Sequence, residues 1–107
     1  MKTPQQSYPA LAKALGIHTI FLKREDQHPY GSHKGRSIPH MIKTYIKRDD
    51  KRSFVISSSG NAALAAIRMV QKHNQNNPDK QITLTVFVGN NIEQGKFDIL
   101  TNEIGAN

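Results

Sequence analysis

Apolar residues recur along this chain at two intervals, helical and strand-like, and the two alternate. Residues 10–15 are good helix formers, and Gly16 marks a stop. Residues 19–23 contain Ile20, Phe21 and Leu22 in a short β-type run. Pro29 and Gly31 mark a loop over 27–31. Ile38, Met41, Ile42, Tyr45 and Ile46 fall at helical spacing and predict a helix over 36–48, with Pro39 in its first turn, where a missing N–H does no harm. Phe54, Val55 and Ile56 centre a short buried strand at 53–57.

The next helix is predicted over 62–73. Ala62, Ala63, Leu64, Ala66, Ile67 and Val70 make most of its surface apolar, which places it between layers. A polar loop with Pro78 covers 74–80, and a strand covers 82–88. Residues 92–104 set Phe97, Leu100 and Ile104 on one helical face, with Gly105 suited to the C-terminal cap. Strands alternating with helices of this length predict an α/β fold. Its units are right-handed βαβ crossovers, its sheet parallel and flanked by helices. Ligands in such sheets bind beyond the carboxyl ends of the strands.

Composition bounds this reading. The 107 residues make one domain, 1–107, with a core of modest size. The hydrophobic fraction of 36% and mean hydropathy of -0.58 are low for a globular chain, yet not low enough for disorder. Cysteine is absent, which excludes disulfides and thiolate metal sites. No long apolar run predicts a membrane span, and the first fifteen residues lack a basic segment followed by an apolar one. A cytoplasmic protein is the default expectation.

The net charge of +7 raises the question of nucleic acid. Residues 1–52 hold eleven Lys or Arg against four acids, whereas residues 53–107 hold four of each. Much of the excess is Lys43, Lys47, Arg48, Lys51 and Arg52, at the end of a predicted helix, where the dipole favours cations. Only Tyr30 and Tyr45 lie near the basic residues, too few aromatics to interleave with them for base stacking.

Two segments combine glycine, serine and a helix start. Lys34, in Gly31-Ser32-His33-Lys34-Gly35-Arg36, opens a predicted helix. Unpaired N–H groups there disfavour an ammonium, and a neutral amine is what attack on an aldehyde requires. Gly35 leaves room for a flat ring. The second segment is Ser57-Ser58-Ser59-Gly60-Asn61, between a strand and a helix. Ser59 is a candidate N-cap, and the hydroxyls and free N–H groups would cradle a carboxylate or phosphate. A solvated lysine and a plain helix cap would explain the same residues. The five histidines lack metal-ligand spacing, Lys34 lacks the glycines of a P-loop, and Glu25-Asp26 reads as structural.

Taken in order, these segments resemble a known family. They are Thr3-Pro4, Ile20-Phe21-Leu22-Lys23-Arg24-Glu25-Asp26, Pro29-Tyr30-Gly31-Ser32-His33-Lys34-Gly35-Arg36, Ser58-Ser59-Gly60-Asn61-Ala62, Gly95-Lys96 and Gly105-Ala106. The sequence is similar to the fold-type II pyridoxal-phosphate enzymes, among them threonine synthase, threonine dehydratase, cysteine synthase and the tryptophan synthase β subunit. The resemblance implies pyridoxal 5'-phosphate as cofactor, held as a Schiff base on Lys34, which would also move the substrate α-proton. It implies that Asn61 bonds the cofactor's ring oxygen, and that Ser58, Ser59 and Ala62 grip the α-carboxylate of an amino-acid substrate.

Within the family, Ser58-Ser59-Gly60-Asn61-Ala62-Ala63-Leu64 resembles the threonine synthase branch, followed by cysteine synthase-like β-replacement and then by serine or threonine dehydration. Two departures stand out. Gly35 occupies a position where many relatives have aspartate. The family's phosphate-binding glycine loop and its pyridine-nitrogen partner would follow residue 107. The expectation is an amino-terminal fragment that binds cofactor weakly and does not turn over alone, completed by a missing carboxy-terminal portion or a homodimer. The alternative of another class is a non-catalytic basic binding module.

Overall fold

A computed structural model describes residues 1–105. Its elements run β1 (Gln5–Ser7), α1 (Pro9–Ala14), β2 (Phe21–Lys23), α2 (Lys34–Asp49), β3 (Ser53–Ser57), α3 (Asn61–Asn76), β4 (Thr83–Phe87) and α4 (Gln94–Gly105). Short 3-10 turns occupy Glu25–Gln27 and Pro78–Lys80.

The α/β architecture and the parallel sheet are present. β3 and β4 pair in parallel, from Ser53 opposite Thr83 to Ser57 opposite Phe87, with α3 as the crossover between them. The sheet does not extend to β2. That strand pairs antiparallel with β1, Gln5 opposite Lys23 and Ser7 opposite Phe21, to form a separate two-stranded sheet. Gln5-Gln6-Ser7 has no apolar residue for a pattern to detect, so the partner that decides the fate of β2 gives no hydrophobic signal.

α3 is the centre of the core. One side packs Ala66, Met69 and Val70 against Ile42 of α2 and Ile82, with Phe54, Ile56 and Leu84 of the sheet beside them. The other side packs Ala63 and Ile67 against Leu100 of α4. Alanines at 63, 65 and 66 are wholly enclosed, and their small side chains let neighbouring elements approach closely. Polar ties reinforce these contacts. Arg68 donates to both carboxylate oxygens of Glu103, at 2.8 and 3.1 Å. Asn74 exchanges two hydrogen bonds with the Ile82 backbone at 2.8 and 2.9 Å, in effect giving β4 a strand partner at its start.

Two local expectations are corrected. α2 starts at Lys34, two residues early, so Pro39 lies beyond its first turn and the Gly35 carbonyl four residues back loses its helical donor. Ser59 does not cap α3, because Gly60 is the N-cap residue and no side chain bonds there as a cap. α4 continues through Gly105, so Gly105 lies within the helix and the cap expected there falls outside the described residues.

Candidate active site

Lys34 is the first residue of α2, and the turn before it is built by short-range bonds. The Lys34 N–H donates to Ser32 Oγ at 3.2 Å, and Gly35 N–H to the Ser32 carbonyl at 3.0 Å. Ser32 is itself buried, which fixes this turn from within. Among the described residues the Lys34 amine has no hydrogen-bond or ionic partner, so it is available for condensation.

Behind Lys34 the helix is anchored by Arg36. Its guanidinium grips Glu25 with both arms, Nε to Oε2 at 2.7 Å and Nη2 to Oε1 at 2.9 Å. It also donates to Thr3 Oγ1 at 3.2 Å and the Met1 carbonyl at 3.0 Å. Thr3 Oγ1 donates to Glu25 in turn, and Lys23 Nζ to the Thr3 carbonyl. The bonds from Arg36, then that from Thr3, hold the Glu25 carboxyl down to about 2. Thr3, Glu25 and Arg36, which the sequence offered only as motif letters, are thus one network around the lysine turn.

The serine turn sits where the two parallel strands end. Ser58 N–H donates to the Phe87 carbonyl at 3.1 Å, and Ser58 Oγ accepts from Gly60 N–H at 3.3 Å, so Ser58 is committed to shaping the turn. Leu64 N–H is the first to find its helical acceptor, the Gly60 carbonyl. The N–H groups of Asn61, Ala62 and Ala63 therefore point outward without helical partners, as first-turn donors do. Ser59, Gly60 and Asn61 border a cavity of about 330 Å³, whose other wall includes Lys96, Ile99 and Leu100 of α4.

The two loops meet through α3. A side-chain carbon added at Gly31 would lie 3.2 Å from Leu64 and 3.1 Å from Arg68, and Leu64 also lines the cavity beside Asn61. Lys34, at the start of α2, does not line the cavity, nor do Ser58 and Ala62. Lys96 does, though the sequence reading gave it no role. It lies in the first turn of α4, the helix that follows β4, so the rule that ligands sit beyond strand ends could have found it.

These residues fit pyridoxal phosphate. A free lysine amine at a helix start, a side-chain amide on Asn61 and a row of unpaired N–H donors beside a cavity are the groups that an aldehyde, a ring hydroxyl and a carboxylate require.

Comparison with known proteins points the same way. The model of the pyridoxal-phosphate dependent enzyme family matches residues 1–103, and the chain belongs to that family. It is 43% identical over 65 residues to an L-serine dehydratase/L-threonine deaminase of Mus musculus, covering 61% of this chain and 19% of that protein. The Bos taurus protein of the same name is 39% identical over 72 residues, covering 67% and 21%. A chloroplastic biosynthetic threonine dehydratase of Solanum lycopersicum is 34% identical over 71 residues, covering 66% and 12%. The chain thus spans about a fifth of the length of the mouse and bovine relatives. Its fold matches the crystal structure of a pyridoxal 5'-phosphate-dependent aspartate racemase with a TM-score of 0.74, over 96% of this chain and 30% of that one, at 21% identity. Pyridoxal phosphate as the cofactor agrees with the sequence reading.

Proposed function

We propose that this chain carries the lysine and the carboxylate-binding turn of a pyridoxal-phosphate-dependent dehydratase acting on serine or threonine. The observation that carries this is the similarity to serine and threonine dehydratases, which covers 61–67% of this chain. The threonine synthase branch, suggested by the letters of the serine turn, has no counterpart among these relatives, so the dehydratase reading moves from third place to first.

In this reading Lys34 would hold the cofactor through its aldehyde carbon, and its amine would move the substrate α-proton. When bound, the cofactor supplies the electron sink for breaking bonds at the substrate's α-carbon. Asn61 would orient the ring through a hydrogen bond from its side-chain amide to the ring oxygen. The N–H groups of Asn61 and Ala62 and the Ser59 hydroxyl hold the α-carboxylate, helped by the positive end of α3. Ser58 acts indirectly, by holding Gly60 in place.

The test is a titration of the chain with L-serine and L-threonine in the presence of pyridoxal phosphate, following backbone amide shifts. Saturable shifts at Ser59, Asn61 and Ala62, lost in Asn61→Ala and weaker with L-phenylalanine, are expected. Equal response to all three amino acids would sink the substrate assignment.

A further inference from the structure

The chain's five arginines are all paired, to Asp26, Glu25, Asp49, Asp50 and Glu103 in chain order. The surplus positive charge therefore rests on lysines, of which only Lys96 forms a salt bridge among the described residues, while Lys23 and Lys51 lie close enough to Glu25 and Asp49 to act on them. Two of the others, Lys43 on α2 and Lys72 on α3, open onto one groove between those helices. A cavity of about 440 Å³ is lined by both lysines together with His28, Tyr30 and His40, and an adjoining cavity of about 160 Å³ shares Tyr30, Lys43 and Lys72. No acidic side chain lines either one.

The lysines cannot separate freely, because the core fixes the helices beneath them. Ile42, next to Lys43, packs in the same buried cluster as Met69, one turn before Lys72. Like charges held on the walls of one groove repel, and an anion seated between them removes that cost. A dianion matches two lysines better than a single carboxylate does. Lysine binds phosphate as a point charge, whereas the planar fork that suits carboxylates, Arg36, is already taken by Glu25.

We propose that the α2–α3 groove is a binding site for a small phosphate-bearing anion, separate from the cofactor turn. Tyr30 forms its floor and His40 its third donor. The groove also borders Gly35 and Arg36, so its occupant would touch the first turn of the helix that starts at Lys34.

The test titrates the full chain with inorganic pyrophosphate at constant ionic strength, following backbone amides. Saturable shifts confined to Tyr30, His40, Lys43 and Lys72 are expected. The double variant Lys43→Gln/Lys72→Gln should bind about tenfold more weakly or worse. Lys47→Gln/Lys51→Gln, which removes the same charge elsewhere, should bind like the parent, and Lys43→Arg/Lys72→Arg should retain binding. All four lysines are exposed, and the amide spectrum of each variant reports its fold directly. Equal weakening in both glutamine variants, or an equal response to chloride, would show general screening and overturn the site. So would duplex DNA binding weakened equally in both, which would mark a basic surface instead.

Discussion

At Gly35 the lysine helix has no room for a side chain. A carbon added there would lie 2.4 Å from His28 Nδ1 and 2.6 Å from both His28 Cε1 and Tyr30 Cβ. His28 is buried, its Nδ1 accepts from the Tyr30 N–H at 3.2 Å, and its ring centroid lies 5.8 Å from that of Tyr30. The glycine at this position is therefore matched by the His28 ring and Tyr30 Cβ, which fill the space that a side chain would need. Gly35→Ala should destabilise the chain by about 1–3 kcal/mol, the usual range for overpacking, and Gly35→Asp by more. Urea midpoints check this, and an unchanged midpoint for Gly35→Asp would show that His28 swings away freely. The sequence revealed that a glycine stood in an unusual place. It could not reveal why, because the reason is a ring seven residues away.

Between elements, the Glu25–Arg36 pair joins the segment after β2 to the first turn of α2, with Thr3 closing the cluster. Glu25 has a folded-state value of about 2 against an ordinary one near 4.5. A depressed carboxylate contributes its stability in full above the ordinary value, and loses it as pH falls through the folded one. The gap in urea midpoint between the parent and Glu25→Gln should therefore be steady near neutrality and close as pH falls from about 4.5 towards about 2. A gap that persists unchanged at the acid end would mean that the charge on Glu25 does not contribute. Helical elements were legible because α2 and α3 each present apolar residues at regular spacing, and both were found within a few residues of their ends. β1 was not, since Gln5-Gln6-Ser7 is held by backbone bonds to β2 and buries no side chain.

Over the whole molecule, the radius of gyration is 17.2 Å, against about 13 Å for a compact domain of this length. The outer face of the β3–β4 sheet leaves Val55 and Phe87 exposed, 67% and 59% respectively. Only the inner face, through Phe54, Ile56, Leu84 and Val86, meets α3. The apolar run Phe54-Val55-Ile56 located a strand at 53–57 but overstated it as buried, because whether each face is covered depends on neighbours that a single strand does not encode. The same holds for the site. The helix starts at Lys34 and Asn61 were legible because glycine and serine precede each, whereas the place of Lys96 and the Arg36 network depend on chain crossings far apart in sequence.

The central claim is that Lys34 is the amine for which this fold is built. Its most direct test is to mix the chain with pyridoxal phosphate, reduce with borohydride and map the labelled peptides, with Lys34→Ala alongside. Label concentrated on Lys34, and lost in the variant without moving elsewhere, is the predicted result. Label spread evenly over the ten lysines, or centred on Lys96 at the cavity wall, would contradict it.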